Sequence, residues 1–271
     1  MTKKSAGRPK LNVYEALIEH VFFAHYQEGQ TTFEFQREEL KDAASKLSVK
    51  EPDNVGDVPY SFRYRNELPT SIRDTASPDR EWVIKGAGRS RYQFAQVLLN
   101  RIVPREELIT IKIPDSTPEI ITAYALGDEQ ALLAKVRYNR LVDIFLGITA
   151  YSLQNHLRTT VAGIGQIEID EIYVGLDRNG RHFVVPVQAK GGNDKHAVVQ
   201  THQDVACCRE KFDSLICRPV SAQFMSNGRI AMFELTVEDD EVKVVGEKHY
   251  QLVPSAEITV EDLRSYSTRG D

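Results

Sequence analysis

Residues 165–192, GQIEIDEIYVGLDRNGRHFVVPVQAKGG, decide how the chain is read. Two apolar runs flank Asp177-Arg178-Asn179-Gly180, and Asn-Gly supplies the positive φ angles that a tight reversal needs. The stretch therefore reads as a β-hairpin. Its first strand carries Glu168, Asp170 and Glu171, and its second ends in Gln188-Ala189-Lys190. Closing the hairpin brings carboxylates on one strand beside an amide and an amine on the other.

The spacing within each strand sharpens this. Ile167 and Ile169 alternate in one phase, whereas Ile172, Val174 and Leu176 alternate in the other, so the pattern slips between Asp170 and Glu171. A slip of this kind predicts a bulge or sharp bend that re-aims side chains, and here it falls on two adjacent acids. On the second strand, period two places Gln188 and Lys190 on one side. Oxygen ligands in this arrangement suit Mg²⁺, which needs one or two carboxylates plus phosphate, and Mn²⁺ can substitute. The expected chemistry is phosphodiester hydrolysis: metal and Lys190 offset developing negative charge and orient a water. The slip singles out Asp170 and Glu171 as candidate metal ligands, with Glu168 on the same face as Asp170.

Composition sets the frame. A chain of 271 residues with 41% hydrophobic and 27% charged residues can bury one large or two modest cores. No apolar run approaches a membrane span, and the basic, polar start has no hydrophobic signal core, so a soluble cytoplasmic protein without membrane partners is expected. Cys207, Cys208 and Cys217 match neither a zinc pattern nor an even disulfide set and read as reduced, structural thiols. The histidines His196, His202 and His249 do not repeat at metal spacing. Net charge is −5, yet the charge is unevenly placed. Lys3, Lys4, Arg8 and Lys10 crowd the start, and Lys85, Arg89, Arg91, Arg101 and Arg105 recur further on. Local basic surface on an acidic protein is compatible with binding a phosphate backbone.

The first hundred residues read as small elements. Residues 1–11 form a basic arm whose Gly7-Arg8-Pro9-Lys10 resembles short elements that lie in A/T-rich minor grooves. Helical spacing predicts helices over 12–26 and 36–47, with a short strand over 31–35 between them. A third helix is expected within 60–72, ending at or restarting after Pro69. Residues 81–94 read as a hairpin with a glycine-rich basic tip. Helix, strand, helix, helix, hairpin resembles the order of a winged helix-turn-helix. That resemblance implies a third helix in the major groove, with Arg63, Arg65, Asn66 and Arg73 near DNA and Lys85, Arg89 and Arg91 on the wing.

Beyond a proline-rich connector at 104–118, with a strand expected over 108–114, a long helical stretch is expected from 128 to 157, broken near Gly147. Glu129 sits in its first turn, either as an accessory to the metal site or as a charge favoured by the helix dipole. A helix over 194–212 and strands at 215–225, 229–237, 241–245 and 249–253 follow the hairpin.

An acid on one strand, then (Asp/Glu/Gln)-x-Lys on the next, flanked by helices, resembles the PD-(D/E)XK nuclease superfamily in a Gln-x-Lys variant. The resemblance covers about residues 119–225. It implies Asp170 as leading metal ligand with Glu171 as its alternative, Gln188 in the second-acid position, and Lys190 as the lysine assisting the nucleophilic water. No proline precedes Asp170, and glutamine replaces the second acid. The fold class implied is α+β or α/β: a winged helix domain over 1–105, then a restriction-endonuclease-like α/β sandwich with a central mixed sheet over 106–271. The function implied is a Mg²⁺-dependent DNA endonuclease of restriction or defence type. It would act on double-stranded DNA as a homodimer, with a cognate DNA methyltransferase encoded nearby. The rival expectation is a DNA-binding regulator whose second half is an inactive, nuclease-like dimerisation domain.

Overall fold

The computed structural model describes residues 12–98, 101–124, 129–191, 194–225 and 228–267. The basic arm lies outside these residues. The chain forms two compact units, one of 1–100 with 163–165 and one of 101–162 with 166–271.

In the first unit, α1 (Val13–His25) begins in a reciprocal cap, where Glu15 N–H donates to Asn12 Oδ1 at 2.9 Å and Asn12 N–H to Glu15 Oε2 at 2.8 Å. It buries Leu17, Ile18, Val21 and Phe22. Then come β1 (Thr32–Gln36), α2 (Arg37–Leu47), α3 (Asp57–Tyr64) and α4 (Thr70–Arg73). The helix expected within 60–72 is thus two short ones, because Pro69 starts a new helix at its N-cap instead of continuing the old. The antiparallel pair β2 (Glu81–Gly86) and β3 (Arg91–Val97) completes a sheet of order β1-β3-β2. Phe22 contacts Phe33, Trp82 and Phe94 edge-on at the centre of the core.

The second unit is built on an eight-stranded mixed sheet. Chain order gives β4 (Arg101–Ile102), β5 (Thr110–Pro114), α5 (Glu119–Tyr124), α6 (Glu129–Tyr138), α7 (Leu141–Leu146), β6 (Thr149–Val161), β7 (Gly165–Leu176) and β8 (His182–Lys190). It continues with β9 (His196–Ala197), α8 (Val198–Lys211), β10 (Ile216–Cys217), β11 (Val220–Phe224), β12 (Arg229–Glu238), β13 (Glu241–Val253) and α9 (Val260–Ser267). The sheet order is β5-β13-β12-β11-β8-β7-β6, with β10 on β8 and β9 pairing β4 apart. β8 and β11 run parallel, as do β13 and β5, while β7 and β8 are antiparallel. Leu132, Leu133, Val136, Leu141 and Val142 of α6 and α7 cover one face, against Val185, Val187, Ala189, Met232 and Tyr250. On the other face Cys208 of α8 packs on Ile172 and Val184. The architecture is therefore mixed α and β, with nine α-helices among the described residues. No described helix is long and apolar enough to cross a membrane.

One expected helix is instead a strand. The stretch expected to be helical to residue 157 ends at Gly147, whose φ of +65° caps α7, and β6 follows. Thr149-Ala-Tyr-Ser-Leu carries apolar residues at helical intervals, but as an edge strand it leaves most of them in solvent.

Candidate functional site

The central hairpin forms as expected, by a slightly different turn. Only Gly180 has positive φ, at +75°, and the Asp177 carboxylate accepts the N–H groups of Asn179 and Arg181 at 2.9 and 3.0 Å. The loop is thus held by an Asx-type side chain as well as by glycine.

β7 keeps a single phase, contrary to the bulge expected at Asp170. Its register with β8 runs unbroken from Leu176↔His182 to Glu171↔Val187. Apolar residues occur in both phases because helices cover both faces: Tyr173 packs towards α6 and α7, and Ile172 towards α8. What sets Asp170 apart is a fork. One residue beyond the last paired rung, Ala189 N–H donates 2.8 Å to Asp170 Oδ2, a side-chain oxygen in place of a ladder carbonyl.

Three of the expected groups meet at this fork. Lys190, at the end of β8, places Nζ 3.5 Å from Oε1 of Glu129 in the first turn of α6. Burial holds the Asp170 carboxyl above its ordinary range, against the opposing pull of Lys190 and the Ala189 N–H. Burial also raises Glu129, opposed by Lys190 and reinforced by the negative charge of Asp170. Two strained carboxylates and one lysine thus share one field.

Gln188 and Glu171 do not join them. The Gln188 amide donates to both carboxyl oxygens of Asp204 at 3.1 and 3.2 Å and to Glu168 O at 3.1 Å, and its own oxygen accepts from Gln200 at 3.2 Å. The position expected to supply a metal ligand is saturated by α8. Glu171, fully buried, points to the opposite face, where Oε1 accepts from Arg137 Nε at 2.8 Å and Ser152 Oγ at 2.5 Å. Glu168 is drawn to β6, with Oε2 3.1 Å from Arg158 Nε and Oε1 3.4 Å from His156 Nδ1.

Asp204 is the residue that sequence reading missed. Burial drives its carboxyl well above the ordinary range, opposed by the Gln188 amide and by Lys190 and increased by Asp170. The available signal was positional, since Asp204 falls three residues after inward-facing Thr201 and four before Cys208. His196 lies nearby, fully buried, and its ring is depressed to about 3 by burial and by the positive charges of Lys190 and Arg101.

The chemistry of the donors decides whether a divalent cation suits this fork. Asp170 Oδ1 and Glu129 Oε2 take no hydrogen bond among the described residues, both oxygens are hard, and Lys190 only partly offsets the burial that raises both carboxyls. Two such carboxylates, with water and substrate phosphate, make an adequate Mg²⁺ or Mn²⁺ set. Among the described residues no three Asp, Glu, His or Cys side chains group closely enough to hold an ion by themselves.

In the first unit the expected DNA contacts separate into two groups. Arg63 is 9% exposed, with its Cζ 4.9 Å over the Tyr64 ring. Asn66 Nδ2 donates to Ser61 Oγ at 2.6 Å, and Arg73 pairs with Glu67 at 2.8 Å. Arg91 is exposed but braces the tip of the β2–β3 hairpin through two bonds to Ala87 O. Arg65 and Arg89 stand exposed and Lys85 is half-buried.

The chain matches no family model, no curated protein and no solved structure. What its site can do rests on its own geometry.

Proposed function

We propose that the protein is a divalent-metal-dependent DNA endonuclease of restriction or defence type. In this reading the second unit is a PD-(D/E)XK-like catalytic core and the first a winged helix that engages duplex DNA. The observation that carries the reading is Lys190 Nζ, 3.5 Å from the partly exposed Glu129 carboxylate and in the field of half-buried Asp170, where β7 and β8 part. A metal held by Asp170 and Glu129 would supply charge neutralisation at the phosphate and acidify a bound water. Asp170 is oriented for that task by the Ala189 N–H. Lys190, tethered to Glu129, is placed to orient the water or offset charge growing on the phosphate oxygens. For the first unit, support comes from the helix–strand–helix–helix–hairpin order, the β1-β3-β2 sheet and the exposed Arg65 and Arg89. A homodimer and a methyltransferase encoded nearby belong to the same reading.

The rival is a DNA-binding regulator with an inactive nuclease-like domain. It is favoured by Gln188, which stands where the superfamily has an acid and is fully engaged by Asp204 and Gln200. Incubation of supercoiled plasmid with the protein in Mg²⁺, Mn²⁺ or EDTA separates the two. Nicking or linearisation that requires the metal and is lost in Lys190→Ala supports the nuclease. Intact DNA across duplex, branched and single-stranded substrates, with duplex still shifted on a gel, supports the regulator.

A further inference from the structure

Gln223 of β11 is fully buried, and only one end of its amide is bonded. Nε2 donates to Ile102 O at 3.1 Å and reaches Ser221 Oγ at 3.4 Å. A backbone carbonyl can only accept, so the amide is fixed this way round and Oε1 is the atom left over. Among the described residues Oε1 takes no hydrogen bond, and a buried acceptor in that state costs free energy.

The donor placed to use it is Lys190. β8 and β11 run parallel with Lys190 and Gln223 on one rung, so both side chains rise from the same face. It is the face opposite Ala189 and Ala222, which pack with α6 and α7. The charge of Lys190 also reaches His196, whose rung partner on β4 is Ile102, the residue that anchors Gln223. The existing bond of Lys190 is long, with Nζ 3.5 Å from Glu129 Oε1, and its side chain is only 12% exposed. A cation on Glu129 would repel an ammonium at that range, and an ammonium so nearly buried needs another acceptor.

We propose that Gln223 is a positioning residue for Lys190: Nζ leaves Glu129 and donates to Gln223 Oε1 once Glu129 is engaged by a divalent cation. The inference rests on the metal-site reading above and deepens it. Without Gln223, lysine and cation compete for one carboxylate. With it, Glu129 is released while Lys190 stays beside the fork, charged and oriented.

Titration of the full chain with Mn²⁺, followed by the paramagnetic resonance of the free ion, tests this without any cleavage assay. Gln223→Met should bind Mn²⁺ about tenfold more weakly than wild type, the scale of one hydrogen bond to a charged group. Lys190→Met removes the competitor and should bind at least as tightly as wild type. Adding Gln223→Met to Lys190→Met should then change nothing, whereas a purely structural role for Gln223 would weaken binding in both backgrounds. A second measurement needs no change at Gln223. The ammonium resonance of Lys190 in wild type, assigned by its absence from Lys190→Met, should shift when Mg²⁺ is added. Equal Mn²⁺ affinity in wild type and Gln223→Met overturns the proposal and leaves the metal site standing. So does an equal loss with and without Lys190, or a Lys190 resonance that ignores Mg²⁺. A wild type that binds no Mn²⁺ overturns the metal site and this inference together.

Discussion

Asp170 and Glu171 are neighbours on one strand, and the sheet sends them into opposite settings. Glu171 meets a counter-ion directly, with Oε1 taking both Arg137 and the Ser152 hydroxyl while Oε2 lies buried without a hydrogen bond. Asp170 enters a more open setting, where a single backbone N–H and a lysine shared with Glu129 leave burial and repulsion only partly offset. The difference teaches how to tell a structural carboxylate from a functional one. On the proposed function, a buried charge matched by its own counter-ion holds the fold, whereas one left in deficit is where a cation from outside would bind.

The sharpest way to break this comparison is to remove each charge in turn. Asp170→Asn and Lys190→Ala should each lower metal-dependent cleavage by roughly 10²- to 10³-fold, the scale expected for a single electrostatic group acting on a transition state. Their melting curves should stay near that of wild type. Arg137→Met should do the reverse, costing about 2–4 kcal/mol of stability by stranding the buried Glu171 charge, with the lower end reflecting the partial exposure of Arg137. Chemical denaturation followed by circular dichroism, beside plasmid cleavage, reads both. If Asp170→Asn unfolds the protein while Arg137→Met abolishes cleavage alone, the two roles have been assigned the wrong way round.

A finer test concerns Asp204. Its folded carboxyl is raised above the unfolded value, so the folded state holds the proton more tightly. The associated stability is fully present below the unfolded pKa and is lost as pH rises through the folded one. Asp204→Asn, which can still accept from Gln188, should therefore melt higher than wild type at neutral and alkaline pH, with the gap closing towards pH 4. A gap that widens on acidification would reverse the sign. The smallest effects belong to the first unit. Arg65→Ala and Arg89→Ala should each weaken duplex binding less than about tenfold and reduce the salt dependence by roughly one released ion. Fluorescence anisotropy at several salt concentrations measures both quantities.

Much of this contrast was legible in the sequence, for identifiable reasons. The hairpin was marked by Asn179-Gly180, and period two put Gln188 and Lys190 on one side. The glycine-rich tip at 86–88 marked the hairpin of the first unit, and helical spacing after Asn12 located its first helix. The sequence pattern failed where burial is two-sided or absent. β7 lies under helices on both faces, so its apolar residues follow no single phase, and a strand that keeps its phase but parts from β8 beyond Glu171 read as one with a bulge. β6 is the opposite case: exposed on both faces from Tyr151 to His156, it shows no alternation, and its Leu and Tyr read as the continuation of a helix. Asp204 escaped notice because a helix interior gives an acid no local signature. Only the folded sheet shows that α8 aims it at Gln188.

The pairing of β5 with β13 carries a consequence for how the molecule is made. Thr110 lies near the start of the second unit and its rung partner His249 near the end, so the outer rungs of the sheet close only after almost the whole chain has been synthesised. The three-stranded sheet of the first unit closes within the first hundred residues. During translation, a completed N-terminal sheet would therefore emerge well before its neighbour could assemble. A chain stopped before β13 would leave the outer edge of β12 without its partner strand, so the sheet depends on the residues from Glu241 onward.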